Sequence, residues 1–135
     1  METAYFKLLQ TEHYSKITVS NVIEQAGVSR TTFYRHYVDI FDMHEKVADR
    51  FAASIIEECF KKIITKKKDE DYFDVVLNIF NSQEKYIWLI AGKNGSRYFF
   101  EALFRIATQG VLPRLVNFSE EQMFRLRFMT LAAIG

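Results

Sequence analysis

A single glycine, Gly27, separates two short amphipathic segments, and no other feature of the sequence restricts the fold as tightly. Before it, Val19, Val22, Ile23 and Ala26 recur at i, i+3, i+4 and i+7, which is one stripe of a helix about eight residues long. Thr18 stands where its hydroxyl can cap the free amides of the first turn. Gly27 supplies a residue for which a left-handed backbone costs least, and Ser29 can cap the next helix. In that helix Phe33 and Tyr37 lie four apart and, with Val28, form an anchoring face. Arg30, Thr31, Thr32, Tyr34, Arg35 and His36 are left largely outside.

The helical period continues along the chain. Tyr5, Leu8 and Leu9 mark a first helix over about 2–12, closed by the polar stretch Thr11 to Lys16. Asp39 can cap a long helix on which Val47, Ala48, Phe51, Ala52, Ile55, Cys59 and Ile63 share a stripe, ended by the cluster Lys66 to Asp71. Phe73, Val76, Leu77 and Phe80 form another stripe, Tyr86 to Ala91 a short apolar element, and Gly92 to Ser96 a loop. From Arg97, the residues Phe100, Leu103, Phe104, Ala107 and Val111 repeat the pattern until Gly110 and Pro113 bend or end it. Ser119 and Gln122 open a capping box before a last helix carrying Phe124, Phe128 and Leu131.

With 5 Gly and 1 Pro in 135 residues, and with no strand alternation, a β-rich fold is excluded and the expectation is all-α. The 49% hydrophobic and 26% charged residues match a globular chain, and 18 Lys plus Arg against 17 Asp plus Glu leave almost no net charge. No apolar run approaches the roughly 20 residues of a membrane-spanning helix. The opening residues lack the basic start, apolar core and cleavage site of a secretory leader. Cys59 is the only cysteine, so a reducing cytoplasm is expected.

A helix, a glycine turn and a second short helix with a polar, basic outer face is the helix-turn-helix arrangement, whose second helix enters the DNA major groove. Arg30 can donate two hydrogen bonds to a guanine edge, Thr31 or Thr32 can meet a thymine methyl or a phosphate, and Tyr34 and His36 can donate to phosphate oxygens. The stretch ITVSNVIEQAGVSRTTFYRHY, Ile17 to Tyr37, resembles the DNA-binding segment of TetR-type transcriptional regulators. The likeness rests on Thr18-Val19, on Ala26-Gly27-Val28-Ser29 at the turn and on Phe33-Tyr34-Arg35-His36-Tyr37, and it extends over about residues 2–50.

The resemblance implies an N-terminal three-helix helix-turn-helix domain over residues 1–45 and a C-terminal helical ligand-binding and dimerisation domain over 46–135. It implies phosphate contacts from Thr18, Tyr34 and His36, and base or adjacent backbone contacts from Arg30, Thr31 and Arg35, with Ser29 and Thr32 on the same surface. The partners implied are a palindromic double-stranded DNA operator, a second copy of the chain and a small-molecule effector, with no membrane, no cofactor and no metal. The expected function is that of a ligand-responsive regulator, a repressor acting as a homodimer. Residues Glu84 to Phe100, with Asn94-Gly95-Ser96 before two aromatics, are similar to a C-terminal subgroup common in Gram-positive bacteria.

Two departures stand out. Ile40 replaces a Lys that often opens the family's fourth helix and meets a phosphate. The family usually has a basic arm before its first helix and a further helix after the position of Gly135, so the resemblance implies a chain truncated at both ends. Residues 1–40 carry Lys7, Lys16, Arg30 and Arg35 against Glu2, Glu12, Glu24 and Asp39, which cancel. Only the local stretch Ser29 to Tyr37 is basic. Neutrality and Ile40 keep a second reading open, a coactivator or protein-interaction module with the same fold and little DNA affinity.

Phe80, Trp88, Tyr98 and Phe104 are candidates for an effector pocket, with ordinary core packing as the plainer alternative. Asn94 and Arg97 can orient an effector's polar group, or act as a loop cap and a solvated side chain. Phe124, Phe128 and Leu131 are the candidate dimer face. Cys59 reads as a small buried hydrophobe, and His13, His36 and His44 show no metal-ligand spacing. No nucleophile and base pair, paired carboxylates or phosphate-cradling loop suggests an enzyme.

Overall fold

The computed structural model describes residues 1–65, 67 and 69–111, and these form seven α-helices with no strand among them. They are α1 (Glu2–Leu9), α2 (Val19–Ala26), α3 (Arg30–His36), α4 (Ile40–Thr65), α5 (Tyr72–Ser82), α6 (Glu84–Ala91) and α7 (Tyr98–Ile106). A single 3-10 turn, Tyr14–Lys16, precedes α2, and α7 runs on into a π-helical turn, Ala107–Val111. Pro113, the Ser119 capping box and the dimer-face candidates Phe124, Phe128 and Leu131 lie outside the described residues, as do Lys66 and Lys68.

Local chemistry sets most of the boundaries. At the start of α2 the Thr18 hydroxyl accepts from the Asn21 amide at 3.2 Å while Asn21 Oδ1 accepts from the Thr18 amide at 2.9 Å, a reciprocal box that satisfies two free donors. Gly27 ends the helix at φ 66° and ψ 32°, and the Val28 amide closes the turn on the Ile23 carbonyl at 3.1 Å. Ser29 caps α3 by accepting from the Thr32 amide at 3.1 Å. Asp39 does the same for α4, accepting from the Asp42 amide at 2.8 Å, and Asp42 in return accepts from the Val38 amide at 2.8 Å.

Helix α1 ends at Leu9, earlier than the sequence pattern predicts. The Leu9 carbonyl, a free acceptor at this helix end, accepts from Asn94 Nδ2 at 2.9 Å. Asp71, part of the charge cluster between α4 and α5, caps α5 through the Phe73 amide at 2.6 Å.

One core runs through the described chain. Tyr5 and Leu9 of α1, Val22 of α2, and Phe33 and Tyr37 at the two ends of the α3 stripe meet Met43 and Val47 of α4. The same core continues along Ala48, Ala52, Ile55 and Cys59 to Ile79, Ile90, Phe99, Ala102 and Leu103. Helix α4 packs most extensively on α7 and then on α5, while α1 rests on α2 and α6. A boundary at residue 45 therefore falls inside α4, which serves both halves of the core. Phe51 stacks on Phe99 at 5.4 Å, and Phe6, Phe51 and Tyr86 meet edge to face at 5.5–6.2 Å, tying α1, α4, α6 and α7 together. Among the described residues no helix is long and apolar enough to cross a membrane.

A β-carbon at Gly27 would meet nothing within 4 Å, so the backbone conformation alone penalises a side chain there. Gly27→Ala is expected to lower stability by about 1 kcal/mol and Gly27→Asn by less, because Asn tolerates the left-handed region. Urea denaturation of the two variants checks the order.

Candidate nucleic-acid interface

The orientation of α3 is fixed by two aromatic side chains on one face. Phe33 is fully buried and Tyr37 nearly so, their ring centroids 5.4 Å apart. Their burial commits the opposite face of a seven-residue helix to solvent, and there Arg30, Thr31, Tyr34, Arg35 and His36 are exposed. Tyr34 is 50% exposed, held edge-on against Phe33 at 5.4 Å. Neither Arg30 nor Arg35 pairs with a carboxylate among the described residues, so both charges remain available to an anion.

The remaining candidates are placed less freely than the sequence pattern suggests. Thr32 is half-buried, with its hydroxyl 2.9 Å from the Ser29 hydroxyl, so these two side chains are engaged in starting the helix. Arg30 reaches back across the turn and donates to Ser20 Oγ at 2.9 Å, which pins one of its nitrogens to α2. Thr18 is exposed at the head of α2, but its hydroxyl is held in the capping box, 2.6 Å from Asn21 Oδ1.

The end of α3 is tied to α4 by charged groups. Arg50 donates to the Tyr37 hydroxyl at 2.7 Å and pairs with Glu2 of α1. Lys46 donates to the His36 carbonyl at 3.2 Å and to Asp42 at 2.9 Å, and both cations lie 5.8 Å from the centre of the Tyr37 ring. Lys46 thereby satisfies a carbonyl at the C-terminal end of α3, where a positive charge is favoured.

A cavity of about 520 Å³ lies between the start of α4 and the loop joining α6 to α7. His44 forms its floor. Only 3% exposed, His44 has Nδ1 2.6 Å from the Tyr5 hydroxyl and Nε2 2.5 Å from the Ser96 hydroxyl, and Tyr14 stacks on its ring at 4.6 Å. Burial, with a smaller contribution from His13, pushes the His44 pKa down to about 4, so the imidazole is neutral at pH 7. The same burial raises the Tyr5 hydroxyl above its ordinary value.

The loop that supplies Ser96 is built around Gly95, where a β-carbon would come within 2.0 Å of the Ile90 carbonyl oxygen. Asn94 uses both its groups: its side chain holds Leu9, and its carbonyl accepts from the Tyr14 amide at 2.7 Å.

Among the described residues, the four aromatic candidates for an effector pocket fall at different places. Tyr98 borders the large one, whereas Trp88 is 66% exposed on α6 and edges a hollow of about 110 Å³ beside Ile87, Ala91, Gly92 and Phe100. Phe80 packs against the core from α5, and Phe104 is half-buried on α7. The helical period separates them: the face of α6 that buries Ile90 turns Trp88 outward, where its Nε1 donates to Glu84 at 3.3 Å. His44 and Ser96 escaped the sequence reading because His44 finds its partners 39 and 52 residues away. The single local signal was the position of His44 four residues before Ala48 on the apolar stripe of α4. The chain matches no family model, no curated protein and no solved structure.

His44 carries a pH signature. Its folded pKa of about 4 lies below the ordinary histidine value, so the unfolded chain binds the proton more readily. Its contribution is complete above about pH 6.5 and is lost as pH falls towards 4, at most about 3 kcal/mol in all. Urea midpoints measured between pH 7 and 4 should show this decline, and His44→Gln should flatten it.

Proposed function

We propose that this chain is a DNA-binding transcriptional regulator of the TetR type, a repressor that acts as a homodimer on a palindromic operator and answers to a small-molecule effector. The observation that carries this reading is the outward, acid-free face of α3, where Tyr34, Arg35 and His36 are exposed while Phe33 and Tyr37 are buried. An exposed aromatic with a hydroxyl between unpaired basic groups suits phosphate oxygens and base edges better than it suits bulk water.

In this reading the roles divide by availability. Tyr34 and His36 donate to phosphates, and Arg35 and Thr31 approach bases or the adjacent backbone. Arg30, tied to Ser20 at 2.9 Å, contributes its remaining donors from a position fixed by α2. Ser29 and Thr32 keep the helix end in place, and Thr18 presents the head of α2 to the phosphate chain. Two copies related by two-fold symmetry would set their α3 helices about 34 to 36 Å apart, one turn of DNA. Because Lys46 and Arg50 of α4 hold His36 and Tyr37, a shift of α4 would carry α3 with it and alter that separation.

Selection of duplexes from a random pool by the purified chain, followed by sequencing, tests the proposal. An inverted repeat should be enriched, and its affinity should fall steeply as salt rises. Tyr34→Ala should weaken binding by about tenfold while leaving the far-ultraviolet circular dichroism unchanged. Absence of any enriched sequence at low salt would sink the regulator reading in favour of a protein-interaction module.

A further inference from the structure

We propose that the cavity between the start of α4 and the α6–α7 loop is a binding site for a small aromatic organic cation. Its volume of about 520 Å³ falls within the roughly 300–1,000 Å³ typical of small-molecule sites. Its walls include the rings of Tyr14, Phe41 and Tyr98, and its rim carries the carboxylates of Glu45 and Glu101. Both carboxylates are exposed, and neither has a salt-bridge partner among the described residues. Aromatic faces and unpaired carboxylates attract the same kind of ligand, one with a positive charge carried on or beside a flat apolar body.

Among the polar groups of the cavity, negative charge outweighs positive. His44 and Ser96 satisfy one another on the floor at 2.5 Å, and burial keeps the imidazole neutral. His13 accepts the Ser15 amide at 3.3 Å. Arg97 is the one permanent cation of the lining, so Glu45 and Glu101 leave the permanent charges of the site with a net negative balance. Burial raises the Tyr98 hydroxyl above its ordinary value against the opposing hydrogen bond of Arg105, with Asp49 and, least, Glu45 adding to the rise. An anionic ligand would face Glu45 and Glu101 across the cavity mouth, and a neutral one would leave both carboxylates without a counter-charge.

The site touches both parts of the core. His44 lies on α4, Tyr14 in the turn before α2, and Ser96 in the loop that holds the end of α1. A ligand seated there would bear on α4 directly. Its consequence for DNA rests on the regulatory reading above, whereas its binding does not.

Three probes of one shape separate the possibilities: naphthylmethylammonium, naphthylmethanol and naphthoate, titrated into the full chain without DNA and followed by naphthalene fluorescence anisotropy. The ammonium should bind at least about tenfold more tightly than the alcohol, and the naphthoate more weakly than either. Replacing both carboxylates, Glu45→Gln with Glu101→Gln, should lower ammonium affinity about tenfold and leave the alcohol unchanged. Since both side chains are exposed, the double variant should fold as the parent does. No ammonium binding, equal binding of all three probes, or a preference that survives the double replacement would overturn the site. Cation preference without any effect on DNA binding would leave the site intact and count against the regulatory reading alone.

Discussion

The described fold depends on the buried side chains of α4. Met43, Val47, Ala48, Ala52, Ile55 and Cys59 are buried along a 26-residue helix and belong to one core with the other helices. Tyr5 and Phe6 of α1 and Tyr37 at the end of α3 meet side chains of its first half, and α5 and α7 pack along it. A core that is continuous through both regions leaves no seam along which they could separate without exposing apolar area to water. Whatever displaces α4 therefore reaches both regions together.

The face that meets solvent on α3 follows from that packing. Phe33 and Tyr37 spend one side of the helix in the core, and Arg50, Lys46 and Glu2 add charge-assisted contacts that hold its end in register with α4 and α1. Arg30, Arg35 and His36 are thus displayed from a frame built mostly of buried apolar contacts. The basic field of α3 arises from placement, since residues 1–40 as a whole carry equal numbers of acidic and basic side chains.

Features that depend on neighbours within four or five residues were legible in the sequence. The Thr18, Ser29 and Asp39 caps, the turn at Gly27, the division of α3 into an anchored and a free face, and the length of α4 all follow from local rules. Features made by distant pairs were not. The Leu9 carbonyl at the end of α1 accepts from Asn94, and the buried His44 has Tyr5 and Ser96 on its two nitrogens. The places of the aromatic candidates for a pocket were not legible for a related reason: periodicity tells which residues share a helix face, but only packing tells which faces enclose a space.

The bond from Asn94 to the Leu9 carbonyl joins residues 85 apart in the chain, and the bond from His44 to Ser96 spans 52. On a ribosome, α1, α2, α3 and most of α4 therefore emerge well before the loop that completes their hydrogen bonding. Until residues 94–96 arrive, the Leu9 carbonyl must remain hydrated and the His44 imidazole lacks one of its two partners. The N-terminal helices are in this way bound to the slow closure of a long loop. The order of synthesis makes the α6–α7 loop a late piece of a hydrogen-bonding arrangement that begins at the other end of the chain.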